Sequence, residues 1–250
     1  MQNNRPKYLF LSVVCAAIVV SICWFFYNYS DYPFIKRLAQ VFGGAMPSGI
    51  IQFLTFILFF WGMFETYARL SRIKYERQSF SLNLLPEKEQ WVLSPDDVNE
   101  LKLKMIAYEK ENKFLMTDIL KKASTKFRSN KSISDVMQIV TTQIKINAQK
   151  AEGGQSVIRY LVWAIPSMGF IGTILGIAES LGMADQASDP AILKDITNSM
   201  YVAFDTTLVA LILSIVLMWY YYKLQENEEQ LHTDMEEYIL ENFVNRIHVE

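Results

Sequence analysis

Apolar residues in this chain are gathered into blocks rather than spread at a helical or strand period. Segments 8–27, 49–68, 158–178 and 200–222 are each mostly apolar, and each has the roughly 20 residues that a helix needs to cross a ~30 Å hydrocarbon core. Between and after these blocks the chain is polar and still helical in pattern. Ser94, Pro95 and Asp97 give a helix start signal: a capping side chain, a first-turn proline and an early acid. Val98, Leu101, Met105, Tyr108, Leu115 and Ile119 then recur near helical spacing. The basic stretch from Lys121 to Lys131, with Ser129 and Asn130, reads as a break. A second helix is expected from near Ser132, with Val136, Met137, Val140 and Ile144 as its apolar stripe running on into the third span. The tail carries Leu224, Leu231, Met235, Tyr238 and Ile239, the pattern of an amphipathic helix with a solvated acidic face. Strand alternation is weak throughout. The expected fold class is therefore all-α: a polytopic membrane protein with four transmembrane helices and a helical cytoplasmic domain.

Charge sets the expected topology. Of the 24 Lys and Arg residues, 17 lie between Arg69 and Arg159. The segment ADQASDPAILKDITN after the third span has three Asp and one Lys. Lysine and arginine concentrate on the cytoplasmic side of membrane proteins. The organisation expected is a cytoplasmic N-terminus at 1–7, a first span at 8–27, an external loop at 28–48 and a second span at 49–68. A cytoplasmic domain at 69–157, a third span at 158–178, an external loop at 179–199, a fourth span at 200–222 and a cytoplasmic tail at 223–250 follow. Both termini then lie inside. Lys36 and Arg37 weaken the contrast in the first external loop. Aromatic residues sit where span ends meet headgroups, at Trp24 to Tyr27 and at Trp219 to Tyr222. The first run follows a basic stretch, as a secretory leader would, but it is longer than a typical leader core and lacks a small-residue cleavage site, so it reads as an anchor.

Composition narrows the function classes. The chain is 51% hydrophobic with a net charge of −2, which offers no basic field for nucleic acid. Cys15 and Cys23 both fall in the first span and build neither a disulfide framework nor a zinc spacing. The histidines, His232 and His248, are both in the tail. No phosphate loop, H-E-x-x-H or nucleophile motif occurs. Nothing implies an enzyme or a cofactor.

The spans differ in polar content. The first is Val, Ile, Ala and aromatics, as a lipid-facing helix would be. The second is Phe-rich, with Glu65 four residues before Arg69, the favourable order for a helical ion pair. The third carries Pro166, Gly169, Gly172, Thr173 and Gly176. Gly172 to Gly176 is a GxxxG step, which lets helices of this chain or of identical neighbours pack closely, and Pro166 removes one helix hydrogen bond and bends the span. The fourth carries Asp205, Thr206, Thr207 and Ser214. A carboxylate and hydroxyls at membrane depth are costly unless they face protein or water. Asp205, Thr206, Thr207 and Thr173 are thus the candidate ion path; Pro166, Gly169, Gly172 and Gly176 are the packing and bending positions. Asp205 also reads as an acid near a helix N-terminus, and each threonine as a hydroxyl bonded back to its own helix.

The runs PSMGFIGTILGI (166–177) and AFDTTLVALILSI (203–215) resemble the MotA/TolQ/ExbB family of ion-driven stator and energy-transducer subunits. Gly169, Gly172, Thr173, Gly176 and Ile177 fit its third-span run, and Pro166 matches the proline of the flagellar branch. Thr207, Ala210 and Leu211 fit the fourth-span pattern. Four spans also look like the flagellar branch. The chain departs from the family at Ala210, often glycine, at Val216, where a proline follows, and at Val202, where the energiser branch has glutamate. The resemblance implies a homo-oligomer, a pentamer, around two copies of a MotB/ExbD/TolR-like single-span partner carrying a membrane aspartate. It implies residence in the bacterial inner membrane, contact with lipids, and no nucleic acid. The transported ion would be H+ or Na+, moving along a threonine-lined wall. The competing reading is a non-conducting oligomeric membrane scaffold.

Overall fold

The computed structural model describes residues 5–45, 48–86 and 92–248. Parts of the expected N-terminal segment (1–4), first external loop (46–47), central domain (87–91) and tail (249–250) lie outside the described residues. The described chain is helical with no strands, apart from one isolated parallel bridge between Leu93 and Ile247. The helices are α1 (Arg5–Tyr29), α2 (Pro33–Ala39), α3 (Ser48–Arg77), α4 (Pro95–Glu111), α5 (Leu115–Asn130), α6 (Ile133–Gly154), α7 (Ser156–Gly182) and α8 (Pro190–Asn242). Among the described residues, four helical stretches are long and apolar enough to cross a membrane. The chain divides into two compact units: Met1–Tyr67 with Ser156–Tyr222, and Ala68–Gln155 with Lys223–Glu250.

The first unit contains the spans. Its core has two parts. Leu161, Ile165, Ala210 and Leu217 pack together with Leu58, Phe59 and Trp61 around them, and Ala16, Phe56 and Val209 form the other. α1 is the least covered span, with Phe10, Ile18, Ile22, Trp24 and Phe25 all exposed, which suits a helix against lipid. The segment after α1 is a helix rather than a plain loop. Pro33 opens α2 in a position where its missing N–H costs nothing. A π-type turn at Gln40–Gly44 follows and contains Gly43 at φ +100°. That left-handed conformation favours glycine, and a Cβ there would also lie 2.8 Å from Gln52 Oε1. Glu65, buried in α3, is reached by Arg5 Nε at 3.4 Å.

α8 begins at Pro190, not at Met200 where the apolar run starts. Asp189 caps it by accepting from the Ala191 N–H at 2.8 Å. The same cue that marks α4, an Asp or Ser followed by proline, was present at Asp189–Pro190 within the expected loop.

The second unit packs α4, α5, α6 and the later part of α8 around Met105, Met116, Ile119, Leu120, Phe127, Val140, Leu224, Met235 and Ile239, all buried. Burying a large apolar side chain of this kind is worth about 1.5–3 kcal/mol. Ser94 and Asp97 form a reciprocal capping box at the start of α4, and these bonds from Ser94 hold the Asp97 carboxyl below its ordinary value. The long first helix expected from Val98 through Ile119 is instead interrupted at Asn112–Phe114. Phe114 precedes α5 without a capping side chain. Glu76 of α3 supplies the acceptor, taking the Leu115 N–H at 2.8 Å. The break expected within Lys121–Lys131 falls at its end: α5 continues through the basic residues to Asn130, and Lys131, at φ +50°, ends it. α6 starts after Ser132, which caps Asp135 N. It ends at Gly154, and Gln155 alone separates it from α7, so that Ile133–Gly182 forms one helical stretch, as expected. The tail is the continuation of α8, with Leu224, Leu231, Met235 and Ile239 buried along one side.

Candidate functional site

The third and fourth spans, α7 and the first part of α8, meet along the small residues of α7. Gly169, Gly172 and Gly176 are all buried. A Cβ at Gly169 would stand 2.7 Å from the Ala210 Cβ, and one at Gly176 would stand 2.5 Å from the Ser199 carbonyl oxygen. A Cβ at Gly172 would collide with the Thr206 hydroxyl. Of the two partners that the GxxxG step left open, the one seated on it here is α8 of the same chain.

That close approach brings two of the threonines together. Thr173 Oγ1 and Thr207 Oγ1 share a hydrogen bond. Thr173 Oγ1 also lies 3.3 Å from the Gly169 carbonyl and 3.2 Å from the Ala203 carbonyl. Thr207 Oγ1 lies 3.0 Å from Gly169 O and 3.2 Å from Ala203 O. Each hydroxyl brings one proton and accepts at its lone pairs. One proton closes the bond between the threonines, so the cluster of four oxygens has fewer protons than acceptors. Both threonines are only half-buried, which leaves the cluster an open side. Such a group accepts a hydrogen bond from water or donates oxygens to a hard cation such as sodium.

The other two residues of the expected path make other bonds. Thr206 is buried and bonds back to Val202 O at 2.8 Å and Ala203 O at 3.2 Å, with Gly172 against it. Asp205 is buried and faces α2. Arg37 Nη1 donates to Asp205 Oδ2 at 2.8 Å and Nη2 to Oδ1 at 2.7 Å. The Arg37 guanidinium also lies 4.4 Å over the Tyr201 ring. Thr206 and Thr207 thus both lie against α7, at Gly172 and at Gly169 with Thr173, while Asp205 faces α2. Asp205 stands about four turns into α8, so it is not an acid at a helix N-terminus. Arg37 is a site residue that the sequence does not single out: it lies 168 positions from its partner.

Ser214 has a separate task. Pro166, inside α7, has no N–H to give to the carbonyl one turn before it, that of Val162. Ser214 Oγ donates to Val162 O at 3.2 Å. A hydroxyl from the neighbouring helix thus satisfies a backbone group freed at membrane depth.

An all-helical membrane protein with a polar seam between its last two spans is the class these features define. Residues 110–237, just over half of the 250, match the MotA/TolQ/ExbB proton channel family; the chain belongs to that family. The match covers the seam and leaves out the first two spans. No curated protein matches the chain at a meaningful level.

Proposed function

We propose that the chain is the ring-forming subunit of an ion-driven machine of the bacterial inner membrane. It couples a proton gradient, or a sodium gradient, to mechanical work. The observation that carries this reading is the Thr173–Thr207 pair with the Gly169 and Ala203 carbonyls, an oxygen cluster with an open side at membrane depth in a chain of a proton channel family. Hydroxyls and carbonyls relay ions without carrying charge themselves. The charge that completes the path comes from elsewhere: a single-span partner with a membrane aspartate, two copies within a pentamer of this chain. Four spans favour the flagellar type of organisation. Asp205 serves in this scheme as an anchor, because a guanidinium held against it repels a passing cation. The cytoplasmic placement of 69–157 and of both termini follows from the Lys and Arg asymmetry. Single-cysteine labelling at Ser129 and Ser188, in a background without Cys15 and Cys23, tests it; labelling of Ser129 from outside contradicts it.

The scaffold reading draws on a specific observation too. Each threonine also reaches the carbonyl one turn earlier in its own helix, as a purely structural threonine does. Reconstitution with the single-span partner separates the readings. The stator reading expects an ion flux that the chain alone does not support and a complex whose mass fits five copies with two partners. A complex that assembles but passes no ion supports the scaffold.

A further inference from the structure

Within the second unit, the faces of α6 and α8 leave a cavity of about 380 Å³. Four carboxylates line it, Glu152, Glu228, Glu229 and Glu236, against one lysine, Lys145. Two polar side chains on its wall are buried without full partners. His232 is 7% exposed, and neither ring nitrogen has a hydrogen-bond partner among the described residues. Gln155 is 3% exposed; its amide nitrogen donates to Glu228 Oε2, while its Oε1 has none. Buried polar groups are satisfied in the great majority of cases, so these atoms mark a place for a guest. Its chemistry follows from the wall. Carboxylates, an amide oxygen and an imidazole nitrogen are acceptors, and the net charge is negative. The guest is a positively charged hydrogen-bond donor small enough for a cleft between two helices.

We propose that this cleft is a proton-exchange site, in which water-borne protons are taken up and released by Glu228 and His232. The two residues are one turn apart on the same side of α8, so a proton passes between them without a change of fold. On uptake, the imidazole nitrogen lone pair takes a proton from a hydronium ion that Glu228 holds, and leaves water behind. On release, it returns the proton to water and the ring is neutral again. Both groups lie beyond the fourth span. Burial pushes Glu228 up from its ordinary value near 4.5, against the opposing effects of Gln155, Arg69 and Arg72. Burial pushes His232 down from 6.5. A carboxylic acid and an imidazole thus converge towards each other in affinity, as a proton relay requires. The charged groups facing the pair are Lys145 and Glu152 from α6, Glu229 and Glu236 from α8, and Arg69 and Arg72 from α3.

The inference deepens the reading as a proton machine and rests on it for its purpose, but the site is testable apart from it. The chain has two histidines, so His248→Gln leaves His232 as the single imidazole for a 15N-histidine titration of the full complex. His232 is expected to titrate below 6.5, and Glu228→Gln is expected to lower its value further, because it removes a neighbouring anion. Proton flux in vesicles is expected to fall at least threefold in Glu228→Gln and in His232→Gln, with the dependence on pH at the face of the second unit flattened. An imidazole that does not titrate between pH 4 and 8, or that ignores Glu228→Gln, overturns the site. Wild-type flux in both variants overturns it as well. A wild-type complex that carries no flux, with His232 titrating as expected, upholds the site and overturns the function proposed above.

Discussion

The Ser214 hydroxyl occupies the hydrogen bond that Pro166 cannot make. It reaches the Val162 carbonyl at 3.2 Å from the neighbouring helix, and so couples the bend in α7 to α8. Ser214→Ala leaves that carbonyl without its donor, and an unsatisfied group of this kind costs about 1–3 kcal/mol. Pro166→Ala restores a backbone N–H to α7 and makes Ser214 redundant. The expectation is a coupling of about 1 kcal/mol in a double-mutant cycle of detergent-solubilised unfolding. Additive effects of the two changes would show that Ser214 does nothing for Val162.

Asp205 and Arg37 form a bidentate pair between α8 and α2. Asp205→Asn keeps the shape and removes the charge. Hydrogen bonds to charged groups contribute about 1.5–3 kcal/mol, and the Arg37 side chain is 41% exposed, so the expected loss is near the lower end. Arg37→Gln is expected to cost a similar amount, and the double variant less than the sum. Ion flux per folded complex is expected to be unchanged in Asp205→Asn. A flux loss of tenfold or more with unaltered thermal stability would return Asp205 to the ion path.

Gly169, Gly172 and Gly176 of α7 leave no room for a methyl group. Gly176→Ala drives a Cβ against the backbone of Ser199 and Ala203, at 2.5 and 2.8 Å, and backbone cannot step aside. Overpacking of this kind costs about 1–3 kcal/mol. Gly153 of α6 has open space where a Cβ would go, and Gly153→Ala is expected to stabilise by about 0.5–1 kcal/mol through helix propensity. The lesion at Gly176 is expected in the fold of the single chain, before any assembly. Melting curves of the two variants in mild detergent compare them directly; equal melting temperatures would remove the tight α7–α8 contact from the account.

Much of this architecture is legible in the sequence because its physics is local. A span declares itself by a run of apolar residues, and helix starts declare themselves at Ser94 and Ser132 by a capping side chain and an acid close behind. The Asp189–Pro190 start carries the same signal, hidden because the apolar run begins later. The break at Asn112 leaves no such mark, since its compensating acceptor is Glu76, on another helix. The site divides in the same way. The Gly169, Gly172 and Gly176 ridge and its neighbour Thr173 follow from spacing on one helix. Which of Asp205, Thr206 and Thr207 faces Thr173 depends on the rotation of α8, set by packing. Arg37 becomes the partner of Asp205 only through the fold of the segment between the first two spans.

The measurement that bears most directly on the central claim is ion flux through the complex reconstituted with the single-span partner proposed above, comparing wild type with Thr173→Val, Thr207→Val and Thr207→Ser. Valine keeps the shape of threonine and removes the hydroxyl; serine keeps the hydroxyl. The oxygen cluster of Thr173, Thr207, Gly169 and Ala203 predicts at least a tenfold loss of flux in each valine variant, with the complex still assembled, and near wild-type flux for serine. Wild-type flux in both valine variants would contradict it and leave the pair as helix packing alone.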